Sequence, residues 1–262
     1  MLKEKWVIIT GASSGIGWST AELLAAKGYH LILLARREER LQELKSQIIE
    51  KHPDIKIKIS QVDLQHREQI DEFIQNEGTL LQKVDVLINN AGLALGVDKI
   101  QSARILDWDV MIDTNIKGLL FLTRGVLEYM IHNQRGHIVN IGSVAGRWVY
   151  PGGGVYCATK FAVRALTEGL RLDLMGTHLR VTNVEPGMVE TEFSEVRLGS
   201  KSAADRVYEG MQSLKAQDIA ETILWCIERP PHVNIQEVVV FPTDQPAVGY
   251  VNRSNTSLEK KS

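Results

Sequence analysis

Short apolar runs alternate with helical stretches along almost the whole of this chain, and that rhythm constrains its fold more than any other feature. Trp6 to Thr10 is an apolar run that stops at a glycine, the pattern of a strand buried on both faces of a parallel sheet. Ser14 to Lys27 has helical spacing, and Gly28 ends it where a left-handed residue is needed. His30 to Leu34 reads as a strand, Glu38 to Lys51 as a charged amphipathic helix and Ile55 to Val62 as a strand. Arg67 to Glu77 reads as a helix and Val84 to Asn89 as another buried strand. The second half continues with a long helix over Ile105 to Asn133, a strand at His137 to Ile141, a helix over Val155 to Met175 and a strand at Arg180 to Val184. Helices fill Ala203 to Glu228, and Val238 to Phe241 is the last strand. Parallel neighbours are joined by right-handed crossovers, so this order predicts a doubly wound α/β fold with helices on both faces of the sheet.

A chain of 262 residues, 44% hydrophobic and 24% charged, is long enough for one large core. The alternation places that core in a single domain over residues 1–253, followed by a polar tail at 254–262. A formal charge of −2 gives no electrostatic reason to expect nucleic acid or an anionic membrane as partner, which leaves a small molecule. Cys157 and Cys226 are too few for a disulfide framework, and the seven histidines form no close metal-ligand spacing. No apolar stretch precedes the first strand as a leader would, and none reaches membrane-spanning length, so a reducing cytoplasm is expected.

Between the first strand and the first helix lies Thr10-Gly11-Ala12-Ser13-Ser14-Gly15-Ile16-Gly17. Glycines there let backbone amides approach a ligand closely, and the positive end of the helix dipole suits a pyrophosphate. The spacing differs from G-x-G-x-x-G, but the flanking strand and helix supply the context of a dinucleotide site. Where an acidic residue would bind a ribose 2′-hydroxyl, the chain has Ala35-Arg36-Arg37, which favours a 2′-phosphate and therefore NADP(H). Asp63 follows the third strand, where it either accepts a bond from an adenine amino group or caps the helix before Arg67. Asn89-Asn90-Ala91-Gly92 ends the fourth, as a turn or as a small-residue surface against which a cofactor lies, with Asn89, Ala91 and Gly92 as the contacts.

Farther on, Tyr156 and Lys160 stand one helical turn apart and share a helix face. A free tyrosine titrates near about 10, and a neighbouring ammonium lowers that value toward the range useful for proton exchange. Taken together, T-G-x-x-x-G-x-G, N-N-A-G, an internal asparagine, a serine and Y-x-x-x-K in this order resemble the short-chain dehydrogenase/reductases over Lys5 to Phe241. The resemblance implies a Rossmann-type three-layer sandwich with a central parallel sheet of about seven strands. It also implies a catalytic tetrad of Asn115, Ser143, Tyr156 and Lys160, with Tyr156 as acid and base, Ser143 holding the reacting oxygen, Lys160 on the nicotinamide ribose and Asn115 holding a water linked to Lys160. Pro186, Gly187, Val189 and Thr191 fall in the segment that closes over the nicotinamide.

Glu190 to Arg197 and Pro231 to Ile235 resemble the branch that oxidises serine, allo-threonine and related 3-hydroxy acids with NADP. A hydroxy acid needs a cation for its carboxylate, and Arg147 and Arg197 are the two candidates, alongside Ser143 and Tyr156 as substrate contacts. A reductase of varied ketones and aldehydes is the enzymatic alternative, and a cofactor sensor without turnover is the alternative from another class. Family members commonly form dimers or tetramers, which the resemblance extends to this chain through Leu119, Leu120, Phe121, Phe161 and Leu166.

Overall fold

The computed structural model describes residues 4–254, and most of the polar tail expected at 254–262 lies outside them. The first half runs through β1 (Trp6–Thr10), α1 (Gly15–Ala26), β2 (His30–Ala35), α2 (Glu38–Lys51), β3 (Ile57–Gln61), α3 (Arg67–Asn76), α4 (Gly78–Leu81) and β4 (Val84–Asn89). There follow α5 (Ile105–Ile112), a π-helical turn (Asp113–Gly118), α6 (Leu119–His132), β5 (His137–Ile141), a 3-10 turn (Val144–Gly146), α7 (Gly154–Asp173) and β6 (Arg180–Pro186). The last part carries β7 (Val189–Glu190), α8 (Phe193–Leu198), α9 (Lys201–Tyr208), β8 (Leu214–Lys215), α10 (Ala216–Ile227) and β9 (Glu237–Val240).

Seven strands form one parallel sheet in the order β3-β2-β1-β4-β5-β6-β9, as the alternation predicts. The chain winds outward from β1 to β3, then returns to pair β4 on the other side of β1. At that reversal neighbouring crossovers leave to opposite faces, and a crevice opens beyond the carboxyl ends of the strands. Successive strand residues face opposite ways, which explains why the runs are apolar throughout. Val7, Ile9, Leu31 and Leu33 pack with Leu24, Leu41, Ile219 and Ile223 on one side, whereas Trp6, Ile8, Ile32 and Leu34 pack with Ile70, Phe73, Leu122 and Met130 on the other.

The long helix expected over Ile105 to Asn133 contains the π turn at Asp113–Gly118, because Asn115 turns its side chain out of the helix to bind the loop after β4. The helices expected over Ala203 to Glu228 are interrupted: Gly210 takes a φ of 73°, and the chain crosses as β8 before α10 begins. There β8 pairs with β7 in a second, two-stranded sheet. Strands this short carry no periodicity to read. Among the described residues no helix is long and apolar enough to cross a membrane, and no group of three or more His, Cys, Asp or Glu is placed to hold a metal ion.

Candidate active site

A cavity of about 690 Å³ opens at the topological switch. Gly11, Ser13, Ser14, Gly15, Ile16, Arg36, Arg37, Asp63, Ala91 and Gly92 line one end of it, and Ser143, Tyr156, Lys160, Pro186, Gly187, Val189, Thr191 and Arg197 line the other. Four residues singled out from the sequence are not on its wall: Gly17, Asn89, Asn115 and Arg147.

The glycine turn is braced from below. Gly11 has a φ of 65°, and a Cβ there would lie 2.9 Å from Ala91 Cα. A Cβ on Gly17 would come within 2.5 Å of Gly11 O, so that position is small in order to let α1 approach its own turn. Asn90, which the sequence reading passes over, donates from Nδ2 to Thr10 O at 2.9 Å, and Thr10 Oγ1 accepts from the Asn90 and Ala91 amides at 3.0 and 2.9 Å. Asn89 is buried and donates to Thr123 and Asn140 at 2.9 and 2.8 Å, holding β4 to α6 and β5. The Asn-Asn-Ala-Gly segment is thus largely a brace: its first asparagine binds the sheet and its second binds the turn.

At the far end of the turn the two arginines part company. Among the described residues the Arg36 side chain makes no hydrogen bond or ion pair, and it faces the cavity. Arg37 is engaged: its guanidinium donates to Ser13 Oγ at 3.2 Å and to Glu192 at 2.9 Å. Asp63 accepts from the Gln65 amide at 3.0 Å, a turn-capping role beside its place on the cavity wall.

α7 presents Tyr156 and Lys160 to the cavity from the same face, with Ala94, Met111 and Cys157 packed in one cluster with Tyr156. Lys160 Nζ donates to Ile141 O at 2.8 Å and lies 5.9 Å from the Tyr156 ring centre. Burial pushes its pKa down to about 8. Burial likewise pushes the Tyr156 phenol above its ordinary value, while the Ser143 hydroxyl and the Arg197 guanidinium pull it the other way. The net lowering expected beside Lys160 is therefore corrected: burial of the phenol is the largest influence and leaves it above its ordinary value. Ser143 accepts from the Ala145 amide at 3.1 Å and caps the 3-10 turn, which holds its hydroxyl toward Pro186 O at 3.5 Å.

Asn115 sits behind the wall. Its side chain accepts from the Leu93 amide at 2.9 Å and donates to Leu93 O and Thr159 at 2.8 and 3.0 Å. The point where a methyl on Gly92 would lie is 3.3 Å from Asn115 Oδ1 and 3.4 Å from Lys160 Nζ. The absence of a side chain at Gly92 thus lets Asn115 and Lys160 approach the loop after β4 closely.

The two candidate anion-binding arginines also differ. Arg147 is turned from the cavity into ion pairs with Glu185 and Glu237, and Glu185 is fully buried. Its Nε and one terminal nitrogen are taken up by these two carboxylates, which ties Arg147 to the edge of the sheet. Arg197 instead borders the cavity, donating to Gly96 O at 3.1 Å and to the Tyr150 hydroxyl at 2.9 Å, with its carbon 5.8 Å from the Tyr156 ring centre. Phe193 packs at 5.7 Å against the Tyr156 ring, and Gln245, Val248 and Gly249 close the wall from the carboxyl end of the chain. No local sequence pattern marks these last three, because long-range folding alone brings them there.

The parallel sheet, the braced glycine turn and the Tyr156–Lys160 pair in one cleft belong together, and the chain is a member of the short-chain dehydrogenase family, whose model matches residues 5–200. It is 44% identical over 251 residues to the NADP-dependent 3-hydroxy acid dehydrogenase YdfG of Salmonella typhi, covering 95% of this chain and 99% of that one. It is also 44% identical over 241 residues to sulfoacetaldehyde reductase 2 of Chromohalobacter salexigens, covering 91% and 94%. A solved structure of serine dehydrogenase in a closed form complexed with NADP+ matches with a TM-score of 0.88 at 42% identity, covering 95% of this chain and all of that one.

Proposed function

We propose that this protein is an NADP-dependent oxidoreductase of short 3-hydroxy acids, serine and allo-threonine among them. The observation that carries the substrate class is Arg197, a cation on the cavity wall beside Tyr156. The cofactor assignment is supported by fit. The turn has no side chain at Gly11, Ala35 stands where an acid would repel a 2′-phosphate, and Arg36 faces the cavity without a partner among the described residues. Gly11 to Ile16 would hold the pyrophosphate, Arg36 the 2′-phosphate, and Pro186 to Thr191 with Lys160 the nicotinamide riboside.

NADP, when bound, supplies the hydride acceptor or donor. In oxidation Tyr156 takes the hydroxyl proton as the carbon-bound hydrogen departs; in reduction it returns that proton to the carbonyl oxygen. Ser143 donates to the same oxygen and stabilises the charge that grows on it. Lys160 favours the phenolate whenever Tyr156 gives up its proton, and a water held by Asn115 would connect Lys160 to solvent. Arg197 takes the carboxylate in a two-pronged bond. A second reading, reduction of a short aldehyde bearing a sulfonate, is favoured by the sulfoacetaldehyde reductase relative and uses the same cation.

The test is a substrate panel of serine, its methyl ester and a sulfonated aldehyde, run on wild type and Arg197→Leu. Wild type should prefer the members that carry a carboxylate or sulfonate, and Arg197→Leu should raise their KM by roughly ten- to hundred-fold, as loss of a charge-assisted bond worth about 1.5–3 kcal/mol implies, with little change for the ester. Equal effects on acid and ester would refute the contact.

We also assign the protein to the reducing cytoplasm as a homo-oligomer. Its two cysteines are buried and unpaired, and α6 and α7 expose Leu120, Ile131, Phe161 and Leu172.

A further inference from the structure

The segment from Val189 to Arg197, the lid that lines the cavity from β7 through α8, is fastened at both ends. At the substrate end Arg197 Nε donates to Gly96 O at 3.1 Å, and the Gly96 amide donates back to Arg197 O at 3.0 Å. At the phosphate end Glu192, the residue before α8, accepts from Arg37 at 2.9 Å across the mouth of the cleft. Arg37 is itself anchored to the glycine turn, with Nε 3.3 Å from Ser13 Oγ and a terminal nitrogen 3.2 Å from the same oxygen and 3.3 Å from Ser13 O. Beside this pair Thr191 abuts the turn so closely that a Cβ on Gly15 would lie 3.2 Å from it.

We propose that Glu192 is a cofactor-retaining residue: with Arg37 it forms a latch from the lid to the phosphate turn, which must part for the dinucleotide to enter or leave. The inference rests on the cofactor reading above and divides the arginine pair by role. Arg36 takes the 2′-phosphate and sets selectivity, whereas Arg37, already committed to Glu192 and Ser13, sets residence time. A latch acts on the whole dinucleotide, so its loss speeds release of NADPH and NADH by the same factor. A 2′-phosphate contact acts on NADPH alone.

Stopped-flow release of NADPH and of NADH, followed by their fluorescence, separates the two. Glu192→Gln and Arg37→Gln should each raise both off-rates about two- to five-fold, the range open to a half-exposed charge pair. The double variant should do no more than Arg37→Gln alone, since Glu192 has no cation left to hold once Arg37 is replaced. Glu192→Asp, which keeps the charge but shortens the reach, should behave like Glu192→Gln. Unchanged release in Glu192→Gln, additive effects in the double variant, or acceleration confined to NADPH would each overturn the latch. Arg36→Gln tests the underlying reading separately: it should weaken NADPH binding and spare NADH, and equal loss of both would remove the NADP assignment while leaving the latch result to stand or fall by itself.

Discussion

Lys160 is held in a place that opposes its charge. Its ammonium is buried against Ile141 O, and burial takes its pKa down to about 8 from an ordinary value of 10.5. The folded chain therefore binds fewer protons than the unfolded chain between those values, and its stability rises with pH across that window. Lys160→Met removes the buried charge. The variant should gain on wild type at pH 7, and the gap should narrow from about pH 8 to 10 as the wild-type lysine sheds its proton. Urea unfolding of both proteins at several pH values reads this directly; a gap that stays constant with pH would place the charge in solvent contact. Gly92 offers a second test at the same scale. Gly92→Ala puts a methyl group between Asn115 Oδ1 and Lys160 Nζ, so turnover should fall by roughly ten-fold or more, part of what general acid–base catalysis supplies, with a smaller change in NADPH affinity. Lost affinity at unchanged kcat would make Gly92 a cofactor contact only.

Between elements, the edge of the sheet is held by charges as well as by apolar side chains such as Val184 and Val240. Arg147 follows the 3-10 turn that Ser143 caps, and it joins Glu185 on β6 to Glu237 on β9, with Arg164 of α7 3.3 Å from Glu237. Glu185 also accepts from Asn183 at 2.7 Å, and burial raises its pKa against the pull of Arg147. Arg147→Met would leave a buried carboxylate without its cation, a loss of about 3–5 kcal/mol in systems of this kind. Chemical denaturation should show a loss of that order, while the ratio of KM values for serine and its ester stays at the wild-type figure. A changed ratio would return Arg147 to the substrate site. The π turn is the other device at this scale: by widening the helix at Asn115 it frees the side chain to clamp Leu93 and Thr159, and a regular helix would keep that side chain along its own surface.

At the scale of the whole molecule, two helices carry apolar side chains that the sheet does not cover. Leu119 is buried and Phe121 packs against the core, but Leu120 is 39% exposed and Phe161 40%. The assembly proposed above would cover them. Leu120→Glu with Phe161→Glu should shift the mass measured by light scattering toward that of one chain, with the secondary structure seen by circular dichroism retained; wild type already sedimenting as one chain would end the assembly proposal.

Much of the fold is legible because its information is local. The period of each apolar run, the glycine turn before α1 and the helical spacing of Tyr156 and Lys160 are settled within a few residues, and the sheet, the switch point and the family follow from them. Side-chain partnership is different, because two groups distant along the chain meet only after the crossovers have placed their strands and loops. Arg37 finds Glu192 155 residues away, and Arg147 finds Glu185 and Glu237 38 and 90 residues away. The sequence by itself thus determined the layered architecture and the family. Only the tertiary structure decided which arginine faces the cavity without a partner among the described residues, which pairs with Glu192 and which joins Glu185 to Glu237, since a guanidinium goes to the anion that folding brings to it.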